Sequence, residues 1–91
     1  GDNAAGADEA IALARKSLID DPNPQAHRIL AQGYQIKNKL PESYLATAEA
    51  LFLEGDVKQA QIRAKRAQVG LRNGSPEWIR AGDIVNYKIP T

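Results

Sequence analysis

Apolar residues recur at steps of three and four along most of the chain, the spacing of helices with one buried face. Ala7, Ala10, Ile11, Ala14 and Leu18 keep this step and predict a first helix from about 7 to 19. Residues 1–6 are small or polar without periodicity and read as a disordered lead-in. Pro22 and Pro24 cannot donate to a continuing helix, so they end it. Asn23 then caps a second helix that has Pro24 at its first position. Ala26, Ile29, Leu30, Gly33 and Tyr34 share a face of that helix, which fades at Asn38. Pro41 opens a third, with Glu42 beside its positive end and a stripe of Tyr44, Ala48 and Leu51. Gly55 stops it and Asp56 caps a fourth, whose stripe Val57, Ala60, Ala64, Ala67 and Leu71 runs to Asn73-Gly74. Ser75-Pro76-Glu77 carries the cap, proline and early carboxylate of a fifth, which contains Trp78 and ends before Pro90.

The pattern also repeats. Tyr44 and Trp78, Ala48 and Gly82, and Leu51 and Val85 are each 34 residues apart. A period of 34 built from an aromatic, a small residue and an aliphatic marks the tetratricopeptide (TPR) helix-turn-helix unit. The expected fold is therefore all-α, with TPR-like antiparallel hairpins and about five helices in a short solenoid spanning residues 7–89. Two registers fit. One superposes Ala60, Ala64 and Ala67 on Ala26, Leu30 and Gly33; the other makes His27, Leu30, Ala31 and Tyr34 the opening stripe of a repeat. They agree on the helices and differ on which face of the second points inward. Stacked repeats bury a core only against neighbours, so the last helix reads as a cap and the first as abutting a further repeat.

Composition narrows function mainly by exclusion. The 91 residues make one small domain, able to bury roughly 60–65% of its unfolded surface. Only five residues are aromatic and alanine dominates the apolar set, so close packing through small side chains is expected. No run is long enough for a transmembrane helix. There is no Met, even at position 1, which reads as a piece of a longer protein. A net charge of +1 gives no general reason to expect nucleic acid.

Catalytic chemistry is poorly supplied. Cysteine is absent and His27 is the one histidine, whereas a zinc site needs three or four ligands. Gly55, Gly70, Gly74 and Gly82 stand singly rather than in a phosphate-binding loop. The fourth helix carries Lys58, Arg63, Lys65 and Arg66, with Arg72 following. This is read as a solvated face, since no stacking aromatics accompany it as in single-strand readers. No cofactor is expected in these residues. The functional candidate is the groove that the opening helices of such a stack would line. In the second register Arg28, Gln32 and Gln35 point there from one edge of the second helix, and Leu45, Glu49 and Phe52 share one edge of the third. Together they would offer a peptide hydrogen bonds and an apolar anchor.

The order of segments also carries a family likeness. Asp8-Glu9-Ala10-Ile11-Ala12, Asp21-Pro22-Asn23-Pro24, Leu53-Glu54-Gly55-Asp56 and Gly74-Ser75-Pro76-Glu77-Trp78-Ile79-Arg80 follow one another. The stretch from Ala7 to Val85 resembles the C-terminal TPR-like domain of BepA-type bacterial periplasmic zinc metallopeptidases, relatives of the HtpX-like proteases. The resemblance implies a periplasmic, non-catalytic interaction module. Zinc would sit at a His-Glu-x-x-His site upstream, and no position here matches that motif. Its implied partners are protein or peptide segments, the parent protease domain and outer-membrane protein assembly components. The alternative is a cytoplasmic TPR scaffold with no protease attached. Lys39-Leu40-Pro41 departs from the Gly-Asp turn usual between such helices.

Overall fold

The computed structural model describes residues 2–90. Five helices follow one another: α1 (Asp2–Asp20), α2 (Pro24–Ile36), α3 (Leu40–Leu53), α4 (Val57–Gly70) and α5 (Pro76–Val85). Each packs on its chain neighbour through a short connection, so consecutive helices form hairpins in a stack of 47 × 27 × 19 Å. All described regular structure is helical, as the pattern predicts.

Local chemistry explains most boundaries. Asn23 accepts a hydrogen bond from the Ala26 amide over 2.7 Å, and Ser75 accepts one from the Trp78 amide over 3.2 Å. Each satisfies an amide that the first turn leaves unpaired. Gly55, at φ +86°, makes the left-handed exit from α3. The unusual turn between α2 and α3 reaches the same conformation with Asn38, at φ +59°. Asparagine tolerates that region better than other side chains.

Two boundaries and one cap differ from the sequence expectation. α1 begins at Asp2 rather than Ala7, so residues 2–6 are a helical turn and not a lead-in coil; residue 1 lies outside the described residues. The side chains of residues 3–6 are exposed there, so the extension follows from the helix propensity of Ala4 and Ala5 rather than from burial. Asp56 holds the cap position of α4 without a side-chain capping bond. α4 stops at Gly70, and Leu71 turns extended at ψ 150° to reach the core from the following loop. α5 ends at Val85, before Pro90 as expected.

α3 is the hub, packing against α2, α4 and α5, whereas α1 meets α2 alone. Leu45 and Ala48 face a cluster with Ala60, Ala64, Ala67, Ala81 and Ile84, while Ala46 joins Ile11, Ala14, Ala26, Leu30 and Ala31 in a second. Alanines at the contacts let the helices approach closely, as do Gly33 beside Ile11 and Gly70 beside Pro41. The two registers of α2 resolve into one answer: it is sandwiched, with inward edges toward both α1 and α3. Ser43 fastens the second edge by donating a buried 2.8 Å hydrogen bond to the Ala31 carbonyl. Trp78 is half-buried rather than enclosed, and Tyr44 packs on the edge of the core.

Candidate polypeptide-binding trough

Because α1 packs on α2 and α5 on α3 while α1 and α5 do not meet, a trough opens between them. Its larger hollow holds about 560 Å³. Arg15, Leu18, His27, Leu30 and Tyr34 form the α1–α2 wall; Glu42, Leu45, Glu49, Glu77 and Arg80 form the α3–α5 wall. A smaller hollow of about 210 Å³ continues past Pro22, His27, Glu49 and Arg80, which line both, and adds Phe52, Leu53, Asp83 and Ile84.

Glu49 stands at the junction. Arg80 donates from Nε to its Oε1 over 3.0 Å, and His27 Nδ1 lies 3.0 Å from its Oε2. The imidazole contact is not an aligned hydrogen bond, and the buried Nδ1 has no such partner among the described residues. Burial alone would raise the Glu49 pKa, but the adjoining His27 ring and Arg80 guanidinium outweigh it and hold the carboxyl below its ordinary value of 4.5. The carboxylate is thus ionised and ties α2 and α5 to α3.

At the other end Arg15 donates to the Tyr34 hydroxyl, and its guanidinium sits 5.9 Å from the ring centre. Phe52 meets Tyr87 edge to face, with centroids 5.0 Å apart. Gln61 holds that returning segment by donating to the carbonyls of Ile84, Val85 and Tyr87. The trough lining thus mixes apolar Leu18, Leu30 and Leu45 with charged side chains.

Of the residues proposed from sequence, Leu45, Glu49 and Phe52 line this trough, and Arg28, Gln32 and Gln35 do not. Arg28 pairs with Glu54 on the surface, Gln32 lines a separate hollow between α1 and α2, and Gln35 is exposed. The reason is rotational. A helix turns about 100° per residue, so with His27, Leu30 and Tyr34 facing in, the next residues along face away. The second register contains that inward stripe, but it also points Arg28, Gln32 and Gln35 at the groove, where the structure does not place them. Arg15, Glu77 and Arg80 carried no signal, because only the fold brings α1 and α5 to the same opening.

No group of three or more His, Cys, Asp or Glu able to hold a metal ion occurs among the described residues. No described helix is long and apolar enough to cross a membrane. No protein-family model, curated protein or solved structure matches the chain.

Proposed function

We propose that the trough binds an extended polypeptide segment and that the domain is a TPR-like interaction module with no catalytic chemistry of its own. The observation that carries this reading is the pair of adjoining hollows, whose lining sets Leu18, Leu30 and Leu45 among charged side chains. Ligand sites combine apolar area with a few placed polar groups in this way. The Glu49 bridge lies across the middle, where it fixes both walls before any ligand arrives.

The likeness of residues 7–85 to BepA-type repeats supports a parent protein that is a periplasmic zinc metallopeptidase in outer-membrane protein quality control. There the trough would present or screen polypeptide for the protease domain. Two measurements test the reading. Titration of the labelled protein with an unstructured polypeptide should move the NMR signals of Leu18, Leu30, Tyr34 and Arg80; shifts confined to the outer face of α4 would defeat the trough. Sequencing the gene upstream should reveal an in-frame His-Glu-x-x-His helix, and an unrelated domain there would end the protease assignment.

A further inference from the structure

Charge is segregated on this small domain. The chain as a whole is net positive, yet the two hollows carry Arg15 and Arg80 against Glu42, Glu49, Glu77 and Asp83. The excess cations lie on α4 and just beyond it, where no acidic residue intervenes from Val57 to Pro76 and no α4 residue lines either hollow. Within the trough, Glu49 is neutralised by Arg80 and faces His27. Glu42 and Glu77 are different: both line the larger hollow, and neither has an ion pair among the described residues.

Topology puts these two carboxylates at one end. Glu42 is in the first turn of α3 and Glu77 in the first turn of α5. α4 packs against both helices and runs opposite to each, so α3 and α5 start on the same side. A first-turn carboxylate stabilises its helix through the dipole, but that leaves the charge without a counter-ion. Arg15, on the facing wall, donates to the neutral Tyr34 hydroxyl and is likewise without an ion pair among the described residues. Across the two hollows, however, the four carboxylates outnumber the two arginines.

We infer that the segment the trough accepts is basic: a lysine or arginine side chain enters between Glu42 and Glu77 while flanking apolar residues lie on Leu18, Leu30 and Leu45. This rests on the trough being a polypeptide site, and the charges select among its occupants. An acidic segment would set its carboxylates against two unpaired ones, which costs affinity and slows encounter.

Fluorescence anisotropy with three short labelled peptides tests it, alike except for lysine, serine or glutamate at alternate positions between valines. The lysine peptide should bind tightest and weaken with added salt. Glu42→Gln and Glu77→Gln should each weaken it about threefold and together about tenfold, as expected for exposed ion pairs. Lys58→Gln with Lys65→Gln, on the far face, should leave it unchanged. Equal or tighter binding of the glutamate peptide overturns the charge selection while leaving the trough as a polypeptide site. Failure of all three peptides removes both readings. Sedimentation of the protein alone as a dimer that the two glutamate substitutions dissociate would also overturn it, giving the trough to the basic α4 of a second copy.

Discussion

Arg80 on α5 donates from Nε to Glu49 Oε1 across 3.0 Å, joining residues 31 positions apart through a carboxylate that is largely buried. The other oxygen faces His27 at 3.0 Å, so one side chain on α3 couples the helices on either side of it.

That arrangement sets an acid sensitivity. The folded-state pKa of Glu49 lies below its ordinary value of 4.5, so its contribution to stability is fully present above that value. It is lost as the pH falls through the lower folded pKa. Glu49→Gln should therefore flatten the dependence of melting temperature on pH below about 4.5. A variant whose acid limb overlays the wild type would show that the bridge contributes nothing.

Two glycines should respond to alanine in opposite directions. A Cβ at Gly33 would lie 2.7 Å from Ile11 Cγ1, and one at Gly6 would meet nothing within 4 Å. Gly6→Ala should stabilise by about 0.5–1 kcal/mol through helix propensity. Gly33→Ala should destabilise, because overpacking of about 1–3 kcal/mol exceeds the same gain. Denaturant midpoints for the two variants check the assignment, and in an Ile11→Ala background, which removes Cγ1, Gly33→Ala should no longer destabilise.

The alanine core tolerates little growth. Ala48, Ala60, Ala64 and Ala67 have no exposed area. Ala64→Leu should cost about 1–3 kcal/mol, since α3 and α4 must separate to admit it. At about 4–8 °C per kcal/mol for a domain of this size, calorimetry resolves the loss easily. A neutral result would mean the two helices pack more loosely than described.

Ser43→Ala should cost about 0.5–1.5 kcal/mol through the lost bond to the Ala31 carbonyl. Hydrogen exchange gives the sharper check: protection should fall in α2 and the start of α3, with α4 and α5 unchanged. Uniform loss across the chain would place the effect elsewhere.

Sequence by itself determined the helices. Asn23, Gly55 and Ser75 act within three or four residues of themselves, so their turns and caps could be read without knowing the fold. Asp56 and residues 2–6 show the limit of that reading: a residue type favours a cap or a coil without compelling one. What the tertiary structure decided was which edge of each helix faces which neighbour. α2 packs on both sides, so its stripe could not be phased from periodicity, and Arg28, Gln32 and Gln35 turned outward. Arg15 and Arg80 carry no signal in the sequence because their partners lie 19 and 31 residues away. Helices arise from local hydrogen bonding and side-chain entropy, whereas the trough exists only because α1 lies against α2 and α5 against α3 without touching each other.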